Sequence, residues 1–155
     1  MKCLTICMNR KNRAASQFKN YNFAGLMRFK GRNLACNKEG LYLLGGDKDM
    51  TAAISAQFKP LETDFGMNNV KALRFLYFGL DTADEMLVEV TPDDSDDPQE
   101  YAIVPSKEGQ QRVRIPIKRT QTGRYFGIEV SNQGGKDFSV DSIQAFVKPL
   151  SYGHR

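Results

Sequence analysis

The stretch that decides the fold is residues 70–80, which read VKALRFLYFGL. It is the longest and most apolar segment of the chain, and it is rich in the aromatic and branched residues that favour β-strands. Because apolar residues occupy both the odd-numbered and the even-numbered positions, the segment predicts a central strand that is covered on both faces. The six-residue apolar run within it, 75–80, is far shorter than the ~20 residues that a membrane-spanning helix needs.

Shorter segments of the same kind lie on either side of this strand. Upstream, residues 53–59 alternate between apolar and polar until Pro60. Downstream, strand-like patterning recurs at 86–90, 101–104, 112–117, 124–130 and 142–147. No window holds a helical period for more than two turns. The sequence therefore predicts an all-β fold, with an antiparallel, jelly-roll-like β-sandwich over residues 49–155.

The N-terminal third predicts a separate group of short strands. They cover residues 4–8, 26–30, 32–36 and 41–44, with a polar loop before residue 26 and tight turns after it. Four such strands form an antiparallel meander over residues 1–48 that resembles one propeller blade. A single blade cannot close a ring, so we expect it to pack on the rest of the chain as one structural unit, with packing on a neighbouring subunit as the alternative.

Composition excludes several classes of protein. The 155 residues are 41% hydrophobic and 26% charged, close to the globular average, which excludes disordered, collagen-like and coiled-coil chains. The first ten residues lack the apolar core of a signal peptide, so we expect synthesis in a host cytoplasm without export. Net charge alternates along the chain: +7 over 1–50, −8 over 51–104 and +5 over 105–155. This alternation suits subunits that meet oppositely charged neighbours.

Few residues are suited to catalysis. The single histidine, His154, is next to last, and Cys3, Cys7 and Cys36 form no C-x-x-C pair. A Ser-His-Asp triad or a multi-histidine metal site is therefore not expected. The Gly-Gly pairs at 45–46 and 134–135 do not fit a phosphate-binding loop. We expect no enzymatic activity, no metal and no cofactor.

Three charged groups are candidate protein–protein interfaces. The first is an acidic loop with Asp93, Asp94, Asp96 and Asp97, which lacks the spacing of a calcium loop. The second is a strand on which Arg112 and Arg114 alternate with apolar residues, so that one face is basic. A solvated loop and a solvated sheet face are the plain alternatives. The specific hypothesis is that the basic strand docks on the acidic loop of the next subunit.

The third group is a basic arm near the N-terminus, formed by Arg10, Lys11 and Arg13. We interpret it as an extended segment that becomes ordered on assembly. It lacks the interleaved aromatic residues of a platform for stacking bases, so we expect no nucleic acid as a partner.

Several motifs, taken in order, resemble a family of known proteins. Residues 21–32 read YNFAGLMRFKGR, residues 37–47 read NKEGLYLLGGD, and residues 63–66 read TDFG ahead of Lys71. Residues 123–126 then read GRYF, and residues 129–143 read EVSNQGGKDFSVDSI. Together they resemble a recurrent region of virion proteins of tailed bacteriophages, especially proteins of the tail and its distal end. The resemblance spans residues 21–155 and implies a structural role, with no catalytic residues to carry over.

These observations predict a non-enzymatic virion subunit of the tail, hub or neck. We expect it to form a homo-oligomer with closed symmetry and to contact other virion structural proteins, away from any membrane. One alternative is a carbohydrate- or receptor-binding module at the tail tip that uses Tyr21, Tyr42 or Tyr152. Another is a capsid decoration protein.

The motif residues also carry predictions about the fold. We expect Arg124 to pair with Asp141 across neighbouring strands. Asn132 and Asp137 flank the glycine pair at 134–135, and we expect their side chains to satisfy backbone amides of that turn.

Overall fold

The computed structural model of the chain describes residues 4–46, 48–93 and 97–150. Every regular element in this part is a β-strand, so the all-β prediction is confirmed. The chain divides into two compact units, residues 1–46 (unit 1) and 47–155 (unit 2). This boundary lies two residues before the predicted one, after residue 48. That the two parts form one structural unit stays a prediction.

Unit 1 consists of a two-stranded hairpin followed by a three-stranded meander. The hairpin pairs β1 with β2, and the meander has the order β3-β4-β5. The predicted four-stranded meander is therefore wrong in one detail, because residues 15–18, expected to be loop, form the partner of the first strand. The strands of unit 1 are β1 (Thr5–Met8), β2 (Ala15–Phe18), β3 (Gly25–Phe29), β4 (Arg32–Cys36) and β5 (Leu41–Leu44).

Asparagine side chains close the turn of the hairpin. The side-chain oxygen of Asn9 accepts a hydrogen bond from the Lys11 amide at 2.9 Å, and that of Asn12 accepts one from the Ala14 amide at 3.0 Å. Arg13 adopts the left-handed conformation, with φ of 58°. The polar segment after β1 thus specifies a turn, and β2 is a strand because that turn returns the chain along β1.

Aromatic rings connect the hairpin to the meander. Phe18, Tyr21, Phe23 and Tyr42 form a continuous chain with centroid separations of 5.5, 4.8 and 5.4 Å. In addition, the Thr5 hydroxyl donates a hydrogen bond to the Tyr21 carbonyl at 3.0 Å. Among the described apolar residues of unit 1, Ala35 alone is fully buried, so these ring contacts take the place of a core.

Unit 2 is a β-sandwich preceded by a small hairpin. Sheet I has the strand order β11-β10-β14-β8, and in sheet II the long strand β9 lies between β15 on one side and β12 with β13 on the other. The strands are β6 (Lys48–Asp49), β7 (Ala52–Ala53), β8 (Gln57–Phe58), β9 (Lys71–Thr82), β10 (Met86–Pro92), β11 (Gln99–Ile103), β12 (Gln110–Pro116), β13 (Thr122–Gly123), β14 (Phe126–Asn132) and β15 (Phe138–Pro149).

A single hydrophobic core joins the two sheets. Sheet II contributes the inward side chains of β9, and sheet I contributes those of β10, β11 and β14. Inward and outward residues alternate along each strand, as the pleat requires. The core residues are Leu73, Leu76, Phe78, Leu80, Met86, Val88, Val90, Ile103, Ile115, Ile117, Phe126, Ile128 and Val130.

A β-bulge in β9 explains why residues 70–80 are apolar in both phases of the alternation. Phe75 lies opposite Phe146, whereas Leu73 lies opposite Val147, so Arg74 is an extra residue in β9. The bulge shifts the inward positions from odd to even numbers, and both Leu73 and Leu76 are buried. The expectation of cover on both faces is wrong, because the outward residues Phe75, Tyr77 and Gly79 of β9 stay partly exposed.

Lys71 closes one end of the sandwich. Its side chain is fully buried, and Nζ donates hydrogen bonds to the carbonyls of Met67 at 2.8 Å, of Asn69 at 3.2 Å and of Arg124. All three ammonium donors therefore have an acceptor, which offsets the cost of removing the charge from water. The TDFG motif at 63–66 begins the loop that supplies the Met67 and Asn69 carbonyls. Its last residue, Gly66, is in the left-handed conformation at φ of 73°.

Two predicted side-chain roles have different outcomes. The Arg124–Asp141 pair is wrong: Arg124 follows β13, which pairs with β9 at residue 71, whereas Asp141 lies beside Leu80, about 25 Å away along the strand. Asn132 contacts the segment of the predicted turn through a carbonyl, and not through the turn amides as expected. Its amide nitrogen donates to the carbonyls of Ile54 at 3.0 Å and Lys136 at 3.2 Å, and its oxygen accepts from the Ala56 amide at 2.8 Å.

Candidate functional site

The outer face of sheet II carries the two arginines that the sequence singled out. Arg112 and Arg114 point outward from β12. Val113, between them, and Ile115, after them, pack against the core on the other side of the strand. The Arg112 guanidinium carbon lies 5.1 Å from the ring centroid of Tyr77, and that of Arg114 lies 5.0 Å from the ring of Phe75. Each arginine thus reaches the aromatic residue diagonal to it on β9.

These contacts fix the positions of the arginines without removing their charge from the surface. Arg112 also donates from Nη2 to Oε1 of Gln144 on β15 at 2.7 Å, while both arginines stay exposed. Next to them, the ring of Phe146 lies 6.1 Å from that of Phe75 and is 56% exposed. We call this surface the arginine face; it consists of Phe75, Tyr77, Arg112, Arg114 and Phe146. Exposed arginine and aromatic side chains held in place are typical of protein–protein contacts.

The outer face of sheet I carries a row of carboxylates. Glu89 on β10 lies directly opposite Glu100 on β11 on one side and Glu129 on β14 on the other. The valines at 88 and 90 are buried, so Glu89 points outward. Across the part of the chain that the structure describes, none of the three forms an ion pair. Like charges directly opposite each other destabilise a sheet, so this row, the glutamate face, is electrostatically unsatisfied.

Reasoning from the sequence missed the glutamate face. Glu89 and Glu129 each lie between two inward apolar residues, and Glu100 precedes the half-buried Tyr101. Glu100 and Glu129 are, however, 11 and 40 residues from Glu89 along the chain. Only the strand register brings them into one row.

Unit 1 has an apolar surface on one side of its meander. Residues paired across antiparallel strands share a face, and one face carries six apolar or weakly polar side chains together with Gly25 and, at its edge, Arg32: Met27, Phe29, Leu34, Cys36, Leu41 and Leu43. We call it the apolar face. Four of its side chains are more than half exposed: Met27 57%, Phe29 59%, Leu41 66% and Leu43 60%.

Unit 1 is also strongly basic. Its 46 residues include nine Lys and Arg but a single acidic residue, Glu39, which gives a net charge of +8, whereas residues 47–155 have a net charge of −4. The basic arm belongs to this unit, but Arg10, Lys11 and Arg13 are exposed residues of the hairpin turn. The expectation of an extended segment is therefore wrong, because the Asn9 and Asn12 side chains hold the turn.

The predicted acidic loop is only partly described. Asp94 and Asp96 lie outside the described residues. Oδ1 of Asp93 accepts a hydrogen bond from the Arg124 amide at 2.8 Å, and Oδ2 of Asp97 accepts one from Nε2 of Gln99 at 3.1 Å. Both carboxylates thus have contacts within unit 2. That this loop is the docking partner of Arg112 and Arg114 stays a prediction.

Two of the three tyrosines proposed for sugar binding, Tyr21 and Tyr42, are half-buried. Tyr21 and Tyr42 belong to the aromatic chain of unit 1, and Tyr152 lies outside the described residues. Tyr21 also borders a shallow groove within unit 1, which Arg28 and Asn33 line with apolar neighbours. The groove therefore offers both a ring and polar donors.

The described residues contain neither a metal-binding cluster nor a membrane-spanning helix. Within residues 4–46, 48–93 and 97–150, no group of three or more His, Cys, Asp or Glu side chains is placed to hold a metal ion. The same residues include no helix that is long and apolar enough to span a membrane. Comparison with family models, with curated proteins and with solved structures gave no match.

Proposed function

We propose that this chain is a non-enzymatic structural subunit of a tailed-bacteriophage particle, located in the tail, hub or neck. It acts through protein–protein contacts with further copies of itself and with other virion structural proteins, in an assembly with closed symmetry. The motifs at 37–47 and 123–143 support the phage origin by their resemblance to virion proteins. The exposed faces of both units support a role in assembly.

The apolar face of unit 1 is the observation that carries the proposal. At roughly 100 Å² of apolar surface for each of its four exposed side chains, it presents on the order of 400 Å², a patch as large as the largest on a typical monomer. Covering this area contributes about 10 kcal/mol at ~25 cal/mol per Å². Association costs about 4–15 kcal/mol, so this face needs a second contact to form a stable complex. The charged faces of unit 2 can supply that contact.

A second candidate function is binding of a carbohydrate at the tail tip. The groove of unit 1 favours it, because an aromatic ring at Tyr21 and hydrogen-bonding groups at Arg28 and Asn33 are the elements that sugar recognition uses. A glycan-array screen with the full chain tests this candidate, and loss of a hit on Tyr21→Ala would assign it to the groove.

The assembly proposal is tested by removing apolar surface from the apolar face. The double variant Leu41→Gln/Leu43→Gln changes side chains that are already exposed, so its fold should be retained. We expect light scattering to show a loss of association of at least about tenfold in the concentration required, since two of the four exposed groups are gone. The matched control is Leu26→Gln, an exposed leucine on the opposite face of the same meander. Equal effects of the variant and the control would contradict the proposal.

The location in a particle requires a separate measurement. Peptide mass spectrometry of gradient-purified particles from a culture that produces this chain should detect it at many copies per particle. Antibody labelling then separates the tail, hub or neck from the capsid surface, where a decoration protein would lie. Absence of the chain from purified particles would contradict the virion role.

A further inference from the structure

We propose that unit 2 binds head to tail to a second copy of the chain, with the arginine face of one copy against the glutamate face of the next. This inference rests on the proposed structural function and deepens it by naming the surfaces and the partner. It replaces the acidic loop at 93–97 with the glutamate face as the acidic surface that Arg112 and Arg114 meet.

The two faces lie on opposite sides of one sandwich. Sheets I and II share a single core, so their outer surfaces point in opposite directions. One surface exposes stacked arginines, and the other exposes three carboxylates without ion pairs in the described chain. A copy therefore cannot pair its own two faces, but a neighbouring copy can supply each face with the charge that it lacks.

Each face carries several charges of one sign. The arginine face is bordered by Lys148, which is exposed on β15 two residues after Phe146, and by Arg74, which directly precedes Phe75 and is partly exposed. These cations and the two arginines can meet the three carboxylates, and an arginine guanidinium can bind a carboxylate through two parallel hydrogen bonds. Asp81 and Asp141 lie at the far end of β9, where Asp141 accepts a hydrogen bond from Gln110. Beside the glutamate face, the side chains of Lys59 and Glu62 lie near Gly127, two residues before Glu129.

Both faces also place apolar surface beside the charges. Leu87 lies directly opposite Ala102 and one outward position from Glu89, about 7 Å along the strand. On the arginine face, the exposed ring of Phe146 packs on Phe75, the same ring that Arg114 covers. Docking can therefore cover Phe146 with the Leu87–Ala102 patch while the charges pair. An aromatic anchor beside paired charges is the usual composition of an energetically important contact.

Electrostatic repulsion within the glutamate face favours docking. In the free chain, Glu89 faces a like charge on each side, which costs stability. A guanidinium from a neighbouring copy relieves that repulsion, so the free energy lost within one copy is recovered on association. The contact should weaken as salt rises, because the charges are at the surface and are screened within about 8 Å at physiological ionic strength.

The chemistry of the faces also determines the symmetry. Pairing the arginine face with itself would bring like charges together, as would pairing the glutamate face with itself. Only the mixed contact is favourable, and such a contact is heterologous: each copy uses one surface to bind the previous copy and another to bind the next. It closes into a ring when the rotation per copy divides a full turn, and otherwise gives a filament.

The experiment uses two full-length variants that remove charge from one face each. Arg112→Gln/Arg114→Gln disables the arginine face, and Glu89→Gln/Glu129→Gln disables the glutamate face. We expect each variant alone to require at least about tenfold higher concentration to associate in light scattering. The control variants are Arg119→Gln and Glu108→Gln, exposed charges in loops outside both faces, which should associate as the unchanged chain does. Circular dichroism confirms that all variants are folded.

Mixing the two variants provides the decisive measurement. Each retains one intact face, and these two intact faces are complementary, so a 1:1 mixture should form a dimer of one copy of each variant and stop there. Native mass spectrometry identifies that species directly. A symmetric contact between like faces would instead leave one variant assembled on its own.

Two results would overturn the inference. The first is normal association of the glutamate-face variant, which would show that the arginine face meets another acidic surface. The second is a mixture of the variants that contains only monomers. If both charge variants assemble normally while Leu41→Gln/Leu43→Gln does not, the inference fails and the proposed structural function stands.

Discussion

Units 1 and 2 are both built from short antiparallel strands, yet they bury their apolar residues very differently. Unit 2 packs thirteen buried residues between two sheets. In the described part of unit 1, Ala35 is the one fully buried apolar side chain, and larger residues such as Phe29 and Leu41 are exposed. Strand patterning alone therefore does not produce a core: unit 2 packs two sheets around one, whereas unit 1 leaves apolar side chains exposed, which fits the proposal that a partner completes it.

The largest expected effect compares one phenylalanine from each unit. Phe78→Ala opens a cavity in the core of unit 2 and should lower the free energy of unfolding by about 3–5 kcal/mol. Phe29→Ala removes an exposed ring in unit 1 and should change it by about 0.5 kcal/mol or less. Urea unfolding of the full chain, followed by circular dichroism, measures both. Similar losses for the two variants would contradict the statement that unit 2 has a buried core and unit 1 does not.

A smaller effect is expected at the buried lysine of unit 2. Lys71→Met keeps the length of the side chain but leaves three carbonyl oxygens without their donor. We expect a loss of about 2–3 kcal/mol in the free energy of unfolding. The control is Lys59→Met, a lysine in the loop before β9 whose side chain donates no comparable set of bonds. A loss at Lys59→Met as large as that at Lys71→Met would show that the three bonds are not the cause.

The side chain of Asn132 should contribute less to the free energy of unfolding than that of Lys71. Asn132→Ala removes bonds to Ile54, Ala56 and Lys136, and should cost about 1–2 kcal/mol. Because these bonds attach the segment before β8 to β14, amides at 54–56 should exchange with solvent faster in the variant, as hydrogen exchange can measure. Unchanged exchange there would contradict the role given to this side chain.

The smallest expected effect is a gain in stability instead of a loss. Glu89→Gln removes the central charge of the glutamate face and should stabilise the isolated chain by a few tenths of a kcal/mol at low salt. The gain should shrink as salt is added, because the repulsion is screened. Thermal unfolding at two salt concentrations measures it. A destabilised variant would show that the row is satisfied within the chain.

Much of the fold could be predicted from the sequence because local patterning specifies it. The strand at 32–36 and the one at 41–44 have the predicted bounds, and all but the first of residues 70–80 lie in the central strand of their sheet. The strand at 15–18 could not be predicted in this way, because its sequence, ASQF, has no alternation and its pairing depends on the turn before it. The bulge at Arg74 also depends on the register with β15 rather than on the residue itself.

The candidate interfaces also differ in how far the sequence alone could predict them. The outward direction of Arg112 and Arg114 follows from alternation along one strand, and the structure adds the rings beneath them. The carboxylate row depends on two strand registers at once, which no single segment encodes. Asp93 looked like a surface charge in the sequence, but its carboxylate accepts the Arg124 amide, a contact 31 residues away.

The central claim is that unit 1 is completed by assembly, whereas unit 2 is stable by itself. Hydrogen exchange of the full chain, measured below and above the concentration at which it associates, tests this claim most directly. We expect amides of β9, β10 and β14 to be equally protected in both samples. Amides of β3, β4 and β5 should exchange quickly in the dilute sample and slow markedly in the associated one. Equal and strong protection of β3–β5 at both concentrations would contradict the claim.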